Sequence, residues 1–217
     1  MRIFLVRHGQ TFSNLEGLMD TRPPGAELTP LGREQAIAVG AQLAGLVGEH
    51  PRVLSSVAIR TQQTAMAAMR EFEAQRGLAA HSVPIDPTPG LQEVFAGQLE
   101  MSGAQDTYQL YLEALRGWLR GDPEAALPGG EKLEQILARY RPVLEAAARG
   151  QRDTIVFSHG AVMRVVATHA CGLDPQWAFE NYMPNCGVVA MEPAGQPFGH
   201  WQLLHWADAP AGAPGTT

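Results

Sequence analysis

Two short words in this chain put an imidazole where an apolar run has to stop. In Val6-Arg7-His8-Gly9, and again in Phe157-Ser158-His159-Gly160, a His-Gly pair follows directly on β-branched and bulky residues. Each His brings a titratable nitrogen and each Gly frees the backbone to turn away at once. Arg7 adds a fixed cation at the first word. Arg60 adds another soon after the third such stretch, Val53-Leu54-Ser55-Ser56. A guanidinium offers paired N–H donors that match phosphate oxygens, and it keeps its charge when buried. Two imidazoles and two guanidiniums on one rim would form an anion pocket with a nucleophilic nitrogen inside it, which is what phosphoryl transfer requires. Glu93 and Glu100, in the loop 87–103, are the carboxylates available for acid–base work. Each residue also has an ordinary reading: a turn-capping His, a helix-surface Arg, a solvated loop carboxylate. The second His-Gly word is what weighs against those.

The elements between these words must bring them together. Ile3 to Val6 and Thr154 to Phe157 read as strands buried on both faces. Val53-Leu54 reads as a third, and Val83 to Ile85 as a short one kept to an edge by Pro84. Thr29-Pro30 is a helix start, with Ala36, Gly40, Leu43 and Val47 at helical spacing and Gly48 as a stop. Further helices follow from Ala58, with Thr61, Ala65, Met69 and Phe72 on one stripe; over Asp106 to Leu119; after Pro128-Gly129-Gly130; and from Ala161. The closing segments Val188 to Met191 and Trp201 to Trp206 read as a hairpin. Strands alternating with helices imply an α/β fold of three layers, α/β/α, around a mostly parallel sheet. Ligands of such sheets bind at the carboxyl ends of strands, where both His-Gly words lie. Residues 1–206 are expected to form one domain, and 207–217, rich in Ala, Pro, Gly and Thr, a disordered tail.

Bulk properties narrow the function. A net charge of -6 argues against nucleic acid or an anionic membrane as partner. Lys132 is the only Lys, against 15 Arg, so an Arg carries weight only inside a motif. Two Cys, Cys171 and Cys186, without framework spacing fit a reduced cytoplasmic protein. The other histidines, His50, His81, His169, His200 and His205, show no metal-ligand spacing, so neither a metal nor another cofactor is expected.

The chain resembles the histidine phosphatase superfamily, the phosphoglycerate mutase-like fold. The likeness runs through Leu5-Val-Arg-His-Gly-Gln-Thr11 with Asn14, Leu28-Thr-Pro-Leu-Gly-Arg-Glu-Gln-Ala36, and Ser55-Ser-Val-Ala-Ile-Arg-Thr-Gln-Gln-Thr-Ala65. It continues in Leu91-Gln-Glu93 with Gly97 and Glu100, Pro128-Gly-Gly-Glu131, Ser158-His-Gly160, and Asn185. The resemblance implies that His8 attacks phosphorus and becomes a phosphohistidine. It implies that His159 pairs with His8 and hydrogen-bonds the phosphoryl oxygens, that Arg7 and Arg60 neutralise them, and that Asn14 donates to one. It also implies that Glu93 protonates the leaving oxygen and then takes a proton from water. Gly160 and Ala161 complete the substrate-binding set. Glu93 is preferred to Glu100 because it follows Leu91 in the family's pattern. Met101 departs from that pattern, which often has Gly there.

The family holds phosphatases and mutases. Val94 to Leu115 contains no Lys or Arg but offers Phe95, Leu99, Met101, Tyr108 and Tyr111, which points to a neutral or partly apolar leaving group. A solvated Arg22 and a structural Arg164 fit the same picture. The resulting expectation is a phosphomonoester hydrolase acting on a small phosphorylated metabolite. The alternatives are a cofactor-dependent phosphoglycerate mutase-type phosphotransferase and a catalytically silent phospholigand-binding protein. The hairpin carrying Trp201 and Trp206 offers an edge through which a homodimer could form.

Overall fold

A computed structural model describes residues 1–48 and 50–207. Six strands form one sheet in the order β3-β2-β4-β1-β5-β6. These are β1 Ile3–Arg7, β2 Arg52–Ser55, β3 Ile85–Pro87, β4 Thr154–Ser158, β5 Val188–Glu192 and β6 Gln202–Trp206. The first four run parallel, while β5 and β6 close the sheet antiparallel. The helices are α1 Phe12–Glu16, α2 Pro30–Leu46, α3 Ile59–Gln75, α4 Gln105–Arg120, α5 Leu133–Ala148, α6 Gly160–Cys171 and α7 Pro175–Glu180. Two apolar clusters pack on opposite sides of the sheet. Leu5, Val156, Trp118, Tyr140 and Val166 belong to one, and Phe4, Phe157, Leu43 and Phe72 to the other. The alternation of Phe4 and Leu5 between clusters is the period-2 pattern of a strand covered on both faces.

Local chemistry accounts for the boundaries. Thr29 caps α2 by accepting from Gly32 N at 3.0 Å, with Pro30 at the first helical position. The predicted stripe of α3 is buried throughout: Thr61, Ala65, Met69 and Phe72. Gly32 has a specific duty, because a Cβ there would stand 2.0 Å from Gln10 O.

Two expectations need correction. The edge strand lies at Ile85–Pro87, two residues later than predicted, so that Val53 pairs with Ile85. Helix α7 was not expected, although Asp174 caps it by accepting from Trp177 N at 2.6 Å, and Pro175 opens it. Trp201 and Trp206 are buried, so the rings themselves face the core, while β6 is the outer strand of the sheet and carries an exposed Leu204. Trp206 Nε1 donates to Asn181 O and its ring meets Trp177 edge-on at 5.3 Å, which locks the hairpin to the segment after α7. Ala207 is buried and donates to Val188 O; the rest of the expected tail, 208–217, lies outside the described residues. Among the described residues no helix is long and apolar enough to cross a membrane.

Candidate active site

β1 and β4 are parallel neighbours with Arg7 opposite Ser158, so the two His-Gly words end side by side. The His8 and His159 ring centroids are 5.3 Å apart and the planes meet at 67°. Both rings are buried. His8 Nδ1 lies 2.8 Å from Gly9 O. A carbonyl can only accept, so Nδ1 carries the proton and Nε2 the lone pair. Burial holds the His8 imidazolium well below the usual histidine range, and the Arg60 and Arg7 charges add to the effect. His159 has the opposite tautomer. Its Nδ1 accepts from Arg60 Nε at 3.2 Å, so Nε2 bears the hydrogen and donates to Ser56 Oγ at 2.9 Å. Burial and then Arg60 also push His159 well down. Both of its nitrogens are engaged here, so in this state His159 braces Arg60.

The two arginines present different edges to the same space. Arg7 spends Nη1 on Tyr182 OH at 2.7 Å and Met183 O at 2.6 Å, leaving a buried Nε with no partner. Arg60, at 2% exposure, spends Nε on His159 and leaves Nη1 and Nη2 buried and unpartnered. Asp20 stands 3.6 Å from Arg60 Nη1 as its counter-charge. Buried N–H groups are almost always paired, because an orphan costs its full desolvation. Arg7 Nε and Arg60 Nη2 have neither a hydrogen bond nor an ion pair, and Arg60 Nη1 has only the Asp20 charge, so N–H donors of two guanidiniums lie beside one imidazole lone pair, as an oxyanion requires.

Asn14 is placed by the capping box of α1, in which its N–H donates to Thr11 Oγ1 and its Oδ1 accepts from Thr11 N. Asn185 Nδ2 donates to the same Oδ1 at 3.2 Å and to His8 O at 3.1 Å. The oxygen is therefore occupied, and the Asn14 amide nitrogen is the end left for a ligand. Gly160 lines the cavity with its Cα against Arg7; a Cβ there would sit 3.0 Å from Arg7 Nε.

The two candidate carboxylates separate cleanly. Glu93 Oε1 accepts from Val94 N and Val162 N, both at 2.8 Å, and Oε2 accepts from Ala161 N at 3.0 Å. It thus sits at the N-terminus of α6, where backbone N–H groups point at an anion, and it lines the cavity with His8. Ala161, expected in the substrate-binding set, lines the cavity, and its N–H is taken by Glu93. Glu100 instead ties down the loop at 21–22, accepting from Thr21 N at 2.7 Å, Arg22 N at 2.9 Å and the Thr21 hydroxyl. Arg139 is the residue sequence reading missed. It pairs with both oxygens of Glu131 at 2.8 Å and donates to Gly90 O, Gln92 O and Glu93 O. Glu131 also accepts from Phe95 N. This pair fixes the backbone on either side of Glu93. The Pro128-Gly-Gly-Glu131 word was visible in the sequence, but nothing in it pointed to an Arg two turns into the next helix.

The cavity has a volume of about 690 Å³ and extends from His8 to a wall built by α4, α6 and α7. Tyr108, Tyr111 and Leu112 face this space, whereas Leu115 and Leu119 of the same helix are core. Arg116, one residue past the stretch without Lys or Arg, lines the cavity, and Arg164 does so as well. The expectation of an uncharged leaving-group pocket is thereby corrected. Arg22 is exposed, as expected of a solvated Arg, and its guanidinium lies 4.2 Å from the Phe95 ring centroid.

An α/β sheet with two imidazoles and two half-satisfied guanidiniums at its carboxyl ends defines a phosphoryl-handling protein. Residues 3–209 match the histidine phosphatase superfamily (branch 1), and the chain belongs to that family. It is 31% identical over 232 residues to the PE-PGRS family protein PE_PGRS11 of Mycobacterium tuberculosis; the match covers 97% of this chain but only 37% of that protein. It is 27% identical over 183 residues to the adenosylcobalamin/alpha-ribazole phosphatase of Escherichia coli, covering 82% and 84% of the two chains. The solved mycobacterial glucosyl-3-phosphoglycerate phosphatase shares the fold, with a TM-score of 0.72 at 23% identity over 96% of this chain and 99% of that one.

Proposed function

We propose that this chain is a phosphomonoester hydrolase that works through a phosphohistidine on His8. The observation that carries this reading is that one cavity is lined by His8, with its Nε2 lone pair free, and by Arg7 and Arg60, whose guanidiniums keep three buried nitrogens without a hydrogen bond. The substrate phosphoryl group takes those N–H donors and the Asn14 amide through its non-bridging oxygens. His8 Nε2 attacks phosphorus as the ester P–O bond breaks in line. Glu93 gives its proton to the leaving oxygen. A water then attacks the phosphohistidine, Glu93 takes the water's proton, the P–N bond breaks and inorganic phosphate departs. Burial serves the first step, because His8 stays unprotonated and nucleophilic at neutral pH. A carboxylate offers about four acceptor sites. Glu93 uses three on backbone N–H groups, which leaves one to carry the mobile proton.

Hydrolysis is favoured over mutase transfer because Tyr108 and Tyr182, both well exposed, stand at the cavity mouth and water has access. The family's phosphatase relatives lend the same support, and the substrate class is a small phosphorylated metabolite. Two unpaired thiols, Cys171 and Cys186, agree with a reducing cytoplasmic setting. The test is turnover of a chromogenic aryl phosphate by the wild type and by His8→Ala. Loss of activity by more than about a thousandfold on removing the nucleophile is expected. A wild type without activity would favour the silent phospholigand-binding protein.

A further inference from the structure

Asp20 sets a negative charge inside the phosphate pocket, against an arginine that would hold the phosphoryl group. Its side chain is 8% exposed and lines the same cavity as His8, Arg7 and Arg60. One end of the carboxylate is tethered: Oδ2 accepts from Ser13 Oγ at 2.8 Å and from Ala26 N at 2.7 Å. The other end is not. Oδ1 accepts no hydrogen bond among the described residues and faces Arg60 Nη1 at 3.6 Å. That spacing gives attraction without a hydrogen bond, so the Nη1 hydrogens stay available to a ligand. The chain closes around this pair at Gly25, in the left-handed region at φ 70°, where a Cβ would stand 2.0 Å from Arg60 Nη1 and 3.2 Å from Asp20 Oδ1. Burial pulls the Arg60 guanidinium below its usual range, and Asp20 is the acid that most opposes the fall, ahead of Glu93 and Glu100. Those two are committed to backbone N–H groups, whereas Asp20 turns its unshared oxygen toward the cation.

We propose that Asp20 limits the grip of this pocket on inorganic phosphate, so that the product leaves. In the empty pocket it supplies the counter-charge that a buried guanidinium requires. With an anion on Arg60, the same carboxylate repels it, and the repulsion grows with the charge of the anion. Inorganic phosphate is small and highly charged, and it has no leaving group to add contacts, so its affinity rests on the guanidiniums alone. An acid fixed against one of them therefore acts most strongly on the product. The inference rests on the hydrolase reading above and adds to it a residue that works through Arg60 on the last step, release.

Anion titration by calorimetry tests it without turnover. Sulfate and methanesulfonate present similar tetrahedral oxygens, but the first is doubly and the second singly charged. Removing the acid in Asp20→Asn is expected to tighten sulfate by about tenfold and methanesulfonate by about threefold, because Coulomb repulsion scales with charge. A residue that merely holds Arg60 in place would give the opposite sign, since its loss would loosen both anions. Asp20→Ser also removes the charge and is expected to act in the same direction, so the result does not hang on the folding of one variant. Ser13→Ala unties Oδ2 but keeps the charge, and it is expected to tighten neither anion. Inhibition of 4-nitrophenyl phosphate turnover by inorganic phosphate should strengthen in Asp20→Asn by about the same factor as sulfate binding. Unchanged or weaker sulfate binding in both charge-removing variants overturns the proposal, as does equal tightening of the two anions or tightening in Ser13→Ala. Absence of ester turnover in the wild type overturns the hydrolase reading, and with it the role in release, whatever the affinities.

Discussion

Replacing Glu93 by Gln separates a proton donor from a structural carboxylate. In the folded protein the Glu93 oxygens accept three backbone N–H groups, two on Oε1 and one on Oε2. An amide has one oxygen and one NH2. Whichever way it is turned, at least one backbone N–H at the start of α6 meets another donor. The loss of one charge-assisted bond and the conflict that replaces it cost about 2 kcal/mol. In a chain of this length that lowers Tm by about 4–8 °C, so the variant remains folded at 25 °C. The chemical effect is larger and depends on the leaving group. An alkyl alkoxide needs the proton, and loss of a positioned general acid costs about 10²–10⁴-fold. A 4-nitrophenolate leaves without help, so phosphorylation of His8 by that ester stays fast. Water then lacks its base, and the phosphoenzyme accumulates. Stopped-flow mixing of Glu93→Gln with 4-nitrophenyl phosphate should therefore give a burst of about one nitrophenolate per site, followed by slow turnover. Equal losses on alkyl and aryl esters with no burst would refute the acid–base role and leave Glu93 as a cap for α6.

Other outcomes follow from the same geometry. His8 and His159 both have pKa values depressed by burial, so each is neutral when folded and protonates in the unfolded chain below the ordinary value of 6.5. Their contribution is present above that pH and is lost as pH falls toward the folded values. Unfolding free energy should drop by up to about 2.7 kcal/mol per pH unit below pH 6, and the slope should shrink in His159→Asn, as read by urea titration at fixed salt. Gly160→Ala brings a methyl to 3.0 Å from Arg7 Nε. It should lower kcat/KM by about tenfold and weaken inhibition by phosphate, with little change in Tm, because a guanidinium misplaced by a fraction of an ångström loses its grip on the phosphoryl group. Met101 occupies the left-handed region at φ 61° and is exposed. Met101→Gly should stabilise the fold by about 1 kcal/mol at unchanged denaturant m-value.

The parts of this site that are legible in the sequence are those fixed by strand ends. His8, Arg7 and His159 follow buried strands whose apolar runs have no other explanation, and parallel pairing then places them together without further instruction. Arg60 is legible for a related reason, since the first turn of a helix after a strand points back to the same edge. Glu93 and Glu100 are harder, because a loop has no period. The family's pattern after Leu91 favours Glu93, and the hydrogen bonds give the physical difference: one carboxylate sits at the start of α6 and the other ties down Thr21. Tyr108 and Tyr111, expected to face a leaving group, do line the cavity, whereas Leu115 and Leu119 on the same helix enter the core. A stripe that lines a cavity looks the same as one that enters a core, and only the fold marks where one gives way to the other. The Met101 departure was visible as a letter, but its left-handed φ belongs to the backbone. Arg139 and Glu131 meet across a helical turn and a loop, a tertiary pairing that local chemistry does not announce.

The proposed reaction turns on a bond between phosphorus and one particular nitrogen. Because His8 Nδ1 is tied to Gly9 O at 2.8 Å, only Nε2 is available to attack. The direct measurement is 31P NMR, with peptide mapping, of wild-type and Glu93→Gln protein quenched in alkali during turnover. The predicted result is one acid-labile phosphoryl group on Nε2 of His8. A phosphoryl group on Nδ1, on His159, or on no residue while ester is being consumed would contradict it.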